Sequence, residues 1–375
     1  MINMEDDAQA TSLVKVPGTA QSQAVRPDLS ELINWGNSLH EQGRYEEAAK
    51  AFQFVLDVEG RNWQALIGQN RAIRRSVPRW HWEMLHDEER SELYDKAIRS
   101  AVSPEHLVLD VGTGSGLLSM MAARAGAQQI IACEGQPAVA DVARRVIKKA
   151  GHDDAITVVP KMSTRMRVPD DMPRRADVLV TETVDCALLG EGILPTIAHA
   201  REHLLTEDAL IMPCGGKVFA QLIESTSLHN KNHVGRLYGF DLTEFNQLSS
   251  IEYFDSRIRH HEHRVLSEPI EVFKFDFYRD TAEPRRAEFV VPPSVAGTCH
   301  AVVFWFELDL LPGISMTNSP TTPNSHWKQA VQCLPAPIQV QPDEPLLLDA
   351  RHDGVTIHFT AVPSGVSTAT DGAAE

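Results

Sequence analysis

Two glutamates, Glu182 and Glu191, follow a strand-like apolar run at residues 176–180 and stand nine positions apart. Gly190 and Gly192 flank the second glutamate and allow a tight backbone turn, so both carboxylates can face one pocket. A carboxylate pair in a loop after a strand can hold a metal, move a proton or bind a cation. Other residues must distinguish among these three uses.

A glycine-rich turn follows a second strand-like run and contains Gly112, Gly114 and Gly116. The spacing disfavours a dinucleotide, because Leu117 stands where that fingerprint needs its third glycine. Asp110 ends the strand, and its negative charge suits a cationic cofactor better than a pyrophosphate. Glu134 closes the next predicted strand, where it can accept hydrogen bonds from ribose hydroxyls. These features favour S-adenosylmethionine, which carries a sulfonium and an ammonium; a strand–helix turn without a ligand is the alternative.

The composition indicates a globular protein with an acidic surface. The 375 residues include 35 Lys and Arg against 51 Asp and Glu, a net charge of −16. This charge disfavours direct binding of nucleic acid or anionic membranes and attracts cationic partners, although it can also serve solubility alone.

The cysteines and the apolar runs indicate the compartment. Five scattered cysteines, none in CxxC spacing, argue for a reducing compartment and against a zinc site or disulfide framework. No run reaches the roughly 20 apolar residues of a membrane span, and the N-terminus has no signal-peptide pattern. We expect a cytoplasmic protein with no metal; a nuclear location stays open if the source is eukaryotic.

The pattern of apolar residues predicts an α/β protein in several parts. We expect disordered tails at 1–28 and 365–375, a tetratricopeptide-like helical segment at 29–76, a Rossmann-like domain at 79–212 beginning with one helix over 79–102, and an antiparallel β domain, a sandwich or barrel, at 213–364. The helical segment is either a peptide-docking platform or a capping hairpin. A polar, histidine-rich insertion at about 225–264 predicts a solvated excursion rather than a metal site.

Four motifs in this order resemble those of the protein arginine N-methyltransferases, over about residues 79–362. Residues 108–118 read VLDVGTGSGLL, residues 81–90 read HWEMLHDEER, residues 181–192 read TETVDCALLGEG, and residues 325–329 read SHWKQ. The resemblance implies an S-adenosylmethionine-dependent methyltransferase domain followed by a β-barrel. When the helical segment at 29–76 is included, the resemblance is greatest to the tetratricopeptide-bearing branch of the ninth human family member, and next greatest to the seventh member.

The resemblance also implies a role for each matching residue. Glu182 and Glu191 would clamp the guanidinium of arginine and draw its charge toward one nitrogen, leaving the other more nucleophilic. His326 with Asp87 would relay a proton, and Trp327 would border the substrate. The implied cofactor-binding residues are Met84, Arg90 (on the cofactor carboxylate), Asp110, Gly112, Gly114, Gly116, Glu134, Met162 and Ser163.

Some features depart from the family pattern and leave alternatives open. Residues 72–78 lack the tyrosines that many members carry before the cofactor-covering helix. The chain has one catalytic module where the seventh and ninth human members have two, so we expect a homodimer in which the insertion reaches the partner. The substrate is expected to be arginine in a protein or peptide; the alternatives are a small guanidino compound, a peptide natural product or a non-catalytic adaptor. His326 favours monomethyl or asymmetric products, whereas the glutamate loop favours symmetric ones.

Overall fold

A computed structural model describes residues 28–322 and 325–364 of the chain. The tails predicted at 1–28 and 365–375 lie outside the described residues, apart from Asp28. The chain divides into two compact units, one ending at Ser76 and the other beginning at Val77.

The first unit contains three helices: α1 (Leu29–Glu41), α2 (Tyr45–Val58) and α3 (Trp63–Ser76). Asp28 caps α1 by accepting a hydrogen bond from the Ser30 amide at 2.9 Å. The Phe52 ring of α2 packs against Gly36 and Gly68, where an added Cβ would lie 2.8 Å and 2.5 Å from ring atoms. The glycines therefore let α1 and α3 approach α2 closely.

The second unit begins with two helices, α4 (Trp80–Leu85) and α5 (Glu88–Ala101), where the sequence predicted one helix over 79–102. The single-helix prediction is wrong because Asp87 is the N-cap of α5. Its backbone is extended, with ψ 94°, and its side chain accepts from the Arg90 amide at 2.9 Å. Trp82 and Leu85 of α4 are 55% and 40% exposed.

A five-stranded parallel sheet follows, with helices in its crossovers, as predicted. Its elements are β1 (Leu107–Val111), α6 (Leu117–Ala125), β2 (Gln129–Cys133), α7 (Pro137–Lys149), β3 (Ile156–Val159), β4 (Ala176–Thr181), α8 (Ile193–His203) and β5 (Leu205–Met212). The strand order is β3-β2-β1-β4-β5. The order reverses at β1, which is buried along its whole length, so the carboxyl end of β1 lies at the switch point where such sheets bind ligands.

The remaining strands are antiparallel, which confirms the predicted β domain. They are β6 (Gly215–Glu224), β7 (Arg236–Leu237), β8 (Phe240–Asp241), β9 (Phe254–Ser256), β10 (Arg264–Val265), β11 (Ile270–Asp276), β12 (Arg285–Val291), β13 (Gly297–Leu311), β14 (Ile314–Thr317), β15 (Gln329–Val340), β16 (Leu346–His352) and β17 (Ile357–Pro363); α9 (Thr226–His229) follows β6. A seven-stranded sheet contains the order β10-β6-β13-β15-β9, and β12, β16 and β17 form a second sheet. Gln332 joins the two sheets, because its side chain bonds the backbone N–H and C=O of Phe359 at 2.9 Å and 2.7 Å.

The insertion, residues 225–264, differs from the expected solvated excursion. It contains α9, the β7–β8 hairpin and β9, and β9 joins the large sheet beside β15. Between 236 and 251 it exposes large apolar side chains: Leu237, Tyr238, Phe240, Leu242, Phe245, Leu248 and Ile251. We call residues 236–251 the arm.

The cysteines and the helix lengths can be compared with the sequence expectations. All five cysteines carry free thiols. Among residues 28–322 and 325–364, no helix is long and apolar enough to cross a membrane.

Candidate active site

The glycine turn connects β1 to α6 at the switch point of the parallel sheet. Gly112, Gly114 and Gly116 all have positive φ, at 73°, 55° and 85°, a conformation that other residues rarely adopt. An added Cβ would meet Thr183 at Gly112 and Ile147 at Gly116, each at 2.9 Å, whereas at Gly114 it would find only the Gly112 carbonyl oxygen at 3.9 Å. The turn is thus packed on both flanks and open at its centre.

Two acidic residues border this turn, as the sequence predicted. Asp110 is buried and accepts from the hydroxyls of Thr113 and Ser119, both at 2.6 Å. Its other oxygen is buried and has no hydrogen-bond partner among the described residues, and burial raises the pKa of this carboxyl. Glu134 accepts from the amides of Gly114 at 3.0 Å and Gln136 at 2.9 Å. A buried oxygen without a partner indicates a place where a ligand donor fits.

Met162 and Ser163 follow β3 on the same side of the sheet. Met162 packs against Gly135, where an added Cβ would lie 2.3 Å from its sulfur, and its side chain is otherwise half exposed. Ser163 is buried and begins a short 3₁₀ turn. Met162 therefore lies beside the segment that contains Glu134.

Glu182 follows β4 and forms a buried ion pair with Arg90, each side chain 5% exposed. The end of β4 is held in place by two hydrogen bonds, from the Tyr94 hydroxyl to the Thr181 carbonyl and from the Thr181 hydroxyl to the Val111 carbonyl, both 2.9 Å. The sequence predicted Arg90 to face a cofactor carboxylate. In the structure its guanidinium contacts Glu182, and its Nε is buried without a partner among residues 28–322 and 325–364.

Glu191 lies in the same cavity as Glu182, as the two glycines predicted. Burial raises the pKa of the Glu191 carboxyl to about 7, and the charge of Asp185 adds to this rise. Glu191 is nonetheless exposed at the surface, because it lies on the open side of the cavity. Two carboxyl groups therefore face one space: the Glu182 side chain is buried, and the exposed Glu191 has a raised pKa.

Asp185 organises the glutamate loop, and sequence reasoning missed it. One carboxylate oxygen accepts from the amides of Gly190 at 2.8 Å and Ala187 at 3.1 Å, and the other accepts from the Tyr253 hydroxyl at 2.7 Å. An Asp that bonds an amide two residues later is a common turn device, so Asp185 itself was detectable. The contact with Tyr253, 68 positions away, was not.

Asp87 and His326 are in contact in the structure, as the sequence motifs predicted. Asp87 Oδ2 accepts from the His326 amide at 2.8 Å and lies 2.9 Å from Nδ1 of its ring. Burial raises the Asp87 pKa, but hydrogen bonds from His326 and Arg90 outweigh it and hold the pKa below its usual value. Burial lowers the pKa of His326 despite the nearby carboxylate. A neutral imidazole, able to accept a proton, is therefore favoured.

A second buried residue that sequence reasoning missed, Asn318, ties the glutamate loop to the loop that contains His326. Its amide nitrogen donates to the carbonyls of Cys186 at 2.9 Å and Lys328 at 2.7 Å, and its oxygen accepts from the Phe306 amide at 2.8 Å. The Trp327 indole adds a parallel link by donating to the Val184 carbonyl at 3.0 Å. The β domain thus holds one wall of the cavity against the glutamate loop.

The cavity has a volume of about 400 Å³. Its lining includes Glu182, Glu191, Met84, His326 and Trp327. Asp255 and Lys328, which the sequence did not single out, also line it and form an ion pair. Within the described part of the chain, no group of three or more His, Cys, Asp or Glu is arranged to hold a metal ion. The arrangement suits a cation, which two carboxylates can bind.

Two family models match the second unit. Residues 215–361 match the arginine methyltransferase oligomerization subdomain. Residues 92–212 match the model of the ribosomal protein L11 methyltransferase. The two matches cover the β domain and the parallel-sheet domain respectively.

Curated relatives match about three quarters of the chain. An arginine N(omega)-methyltransferase from Streptomyces achromogenes subsp. streptozoticus is 40% identical, over 73% of this chain and 76% of its own. Protein arginine N-methyltransferase 7 from Drosophila ananassae is 30% identical over 74% of this chain and 47% of its own, and that from Oryza sativa subsp. indica is 34% identical over 74% and 44%. The chain spans about half the length of these last two relatives.

Two solved structures share the fold. A Trypanosoma brucei PRMT1 enzyme–prozyme heterotetrameric complex with AdoHcy superposes with a TM-score of 0.65 at 25% identity, over 74% of this chain and 88% of the other. Arabidopsis thaliana protein arginine methyltransferase 10 superposes with a TM-score of 0.58 at 22% identity, over 72% and 86%.

Proposed function

The chain belongs to the protein arginine methyltransferase family, and we propose that it transfers a methyl group from S-adenosylmethionine to a guanidino nitrogen of arginine. The observation that carries this proposal is that Glu182 and Glu191 line one cavity, beside the domain that contains the glycine turn. A guanidinium stays protonated up to a pKa of about 13.8 and is a poor nucleophile. Two carboxylates that grip it in a fork pin the group and draw its charge toward one nitrogen.

The residues around the glycine turn fit the cofactor. The buried, unpartnered oxygen of Asp110 suits a ligand donor, and the open face of Gly114 leaves room for close approach. Glu134 would accept from the ribose hydroxyls, and the unpartnered Nε of Arg90 would donate to the cofactor carboxylate. When bound, S-adenosylmethionine supplies an electrophilic methyl group on a sulfonium. Met84 would cover the cavity, and Met162 and Ser163 would border the adenine.

The chain's own residues then position the acceptor and move one proton. Glu191 must be ionised to bind the guanidinium, and the incoming positive charge favours that form. The guanidino nitrogen would form the new N–C bond with its lone pair as the sulfonium gives up its methyl group, and one proton would leave that nitrogen. His326, held by Asp87 and favoured as neutral imidazole, is the acceptor for that proton. Trp327 forms part of the wall beside the substrate.

Two classes of molecule are candidates for the methyl acceptor. The relatives named protein arginine N-methyltransferase 7 favour arginine in a protein or peptide. The relative named arginine N(omega)-methyltransferase favours a small guanidino compound, arginine itself. Transfer of radiolabelled methyl groups to an Arg/Gly-rich peptide tests the function; no transfer to any arginine-containing acceptor would overturn it.

Assembly is a further part of the proposal. The match to an oligomerization subdomain supports an oligomer, and we propose a homodimer in which the insertion at about 225–264, with the arm as its exposed part, packs on the parallel-sheet domain of the second copy. The exposed apolar side chains of the arm support this, because Tyr238, Phe240 and Leu248 are 98%, 71% and 77% exposed.

The first unit supports a tetratricopeptide-like helical hairpin. Leu39, Ala48, Phe52 and Val55, which follow the repeat's spacing, are buried. We propose that α1 and α2 are such a hairpin, in keeping with the tetratricopeptide-bearing branch of the family, and that α3 covers its open side.

A further inference from the structure

An ion pair lies at the opening of the cavity that holds the two glutamates. Asp255 on β9 and Lys328, one residue before β15, bring opposite charges together where the insertion joins the large sheet. Their side chains are 56% and 37% exposed, whereas the Glu182 side chain is 5% exposed. Glu182 therefore lies at depth, whereas Glu191, which is itself exposed, and the pair of opposite charges lie nearer the opening.

This arrangement matches the charges of a free amino acid. A guanidinium bound by Glu182 and Glu191 directs the other end of an arginine toward the opening. In a peptide that end carries neutral amides. In free arginine it carries an ammonium and a carboxylate, which complement the Asp255 carboxylate and the Lys328 ammonium. The volume of about 400 Å³ is at the small end for ligand pockets, as suits a single amino acid.

We infer that the cavity also accepts free L-arginine, with Asp255 binding the α-ammonium and Lys328 the α-carboxylate. The inference rests on the proposed function and assigns the two residues that would recognise the free amino acid among its two candidate acceptors. Both side chains are partly exposed and line the cavity, so a ligand with two opposite charges can reach them and replace a pair that contributes little to folding. The neighbouring cation, Arg257, is engaged otherwise, because its guanidinium donates to the carbonyls of Ser325 at 2.9 Å and His326 at 3.3 Å.

The test compares acceptors that differ at one end only. The full chain and S-adenosylmethionine are assayed with L-arginine, agmatine (no carboxylate), Nα-acetyl-L-arginine (no ammonium) and a peptide with an internal arginine. We expect methylation of L-arginine, with kcat/KM about tenfold or more above agmatine and Nα-acetyl-L-arginine, because each lacks one charge-assisted contact. The difference should lie mainly in KM.

Variants identify the two residues. Lys328→Gln should lower kcat/KM for L-arginine about tenfold through KM and remove its advantage over agmatine. Asp255→Asn should remove its advantage over Nα-acetyl-L-arginine. Lys217→Gln is the matched control, because Lys217 pairs with Glu307 and neither residue lines the cavity; it should leave the four values as in the wild type.

Three results would count against the inference or the function. Methylation of the peptide alone overturns the inference and leaves the proposed function standing. Methylation of L-arginine that neither variant changes overturns the assignment of Asp255 and Lys328. No methylation of any of the four acceptors overturns the proposed function itself.

Discussion

Arg90 on α5 and Glu182 after β4 form a buried ion pair, although 92 positions separate them in the chain. The pair fixes one carboxylate of the proposed clamp and joins α5 to the glutamate loop. Removing one partner of a buried ion pair destabilises the fold, because the remaining charge is left in a poorly solvated environment.

Replacing Arg90 therefore has a large effect on stability. Arg90→Met leaves Glu182 buried without its partner and should lower the free energy of unfolding by about 3–5 kcal/mol. Denaturant titration of the two proteins measures this. Arg99→Met, which removes an exposed partner of Asp95, is the control and should change it by about 1 kcal/mol or less. Equal effects of the two substitutions would show that the buried pair contributes no more to stability than the exposed one.

Asn318 should matter more than an exposed amide. Asn318→Ala leaves the Cys186 and Lys328 carbonyls and the Phe306 amide without this partner, and each buried unpaired group costs about 1–3 kcal/mol. We expect marked destabilisation and a lower kcat, because the cavity wall loses its tie to the glutamate loop. Gln339→Ala, an exposed amide on β15, should stay within about 0.5 kcal/mol of wild type. Unchanged melting of Asn318→Ala would rule out this positioning role.

The pKa of Glu191 predicts a pH dependence of stability. Because the folded pKa is about 7 and the ordinary value is 4.5, the folded protein binds more protons than the unfolded chain between these limits. The Glu191 contribution to stability is therefore present below pH 4.5 and is lost as pH rises through 7. Unfolding free energies at pH 5 and pH 8 should show wild type losing stability relative to Glu191→Gln over this interval. Parallel pH profiles for the two proteins would contradict the raised pKa.

Several of these contacts were predictable from the sequence and others were not. The strand–turn–helix pattern around Gly112–Gly116 and the spacing of Glu182 and Glu191 are local signals, so the parallel sheet and the shared cavity could be predicted. The N-cap role of Asp87 was also readable from an Asp before an acidic first turn, yet the continuous apolar spacing favoured a single helix. Local sequence patterns were therefore sufficient to predict the main architecture.

Contacts between distant segments were not readable in the same way. Arg90 with Glu182, Tyr253 with Asp185 and Asn318 with Cys186 depend on how the β domain and the parallel sheet pack. The insertion was expected to be solvated because its composition is polar, yet it supplies Tyr253 and Asp255 to the cavity. Tertiary packing, rather than local propensity, sets such pairs.

The arm should control assembly. Phe240→Glu with Leu248→Ser places a charge and a hydroxyl on the exposed apolar surface, so the proposed dimer should dissociate to monomers with lower activity. Sedimentation velocity at micromolar concentration measures the change. Val290→Ser, at an apolar site on β12 that is 65% exposed, is the control and should stay dimeric. Wild type that sediments as a fully active monomer would refute the proposed dimer.

The glycines around Phe52 should limit substitution in the first unit. In Gly68→Ala the new Cβ would lie 2.5 Å from the Phe52 ring, so overpacking of about 1–3 kcal/mol should exceed the gain in helix propensity of about 1 kcal/mol. Hydrogen exchange of α2 amides reports this unit separately from the second. Gly60→Ala, whose Cβ would meet only the Leu56 carbonyl oxygen at 3.6 Å, should leave that exchange unchanged. Slower exchange in Gly68→Ala would disprove the close packing.

The central claim is that Glu182 and Glu191 together bind the guanidinium that receives the methyl group. Radiolabelled methyl transfer to an Arg/Gly-rich peptide and to L-arginine should fall about 10²-fold or more in Glu182→Gln and in Glu191→Gln, since each loses one preorganised charge at the reacting group. Glu202→Gln, on an exposed position of α8, should keep wild-type transfer. If both Glu182→Gln and Glu191→Gln transfer methyl groups as fast as the wild type, the clamp does not exist.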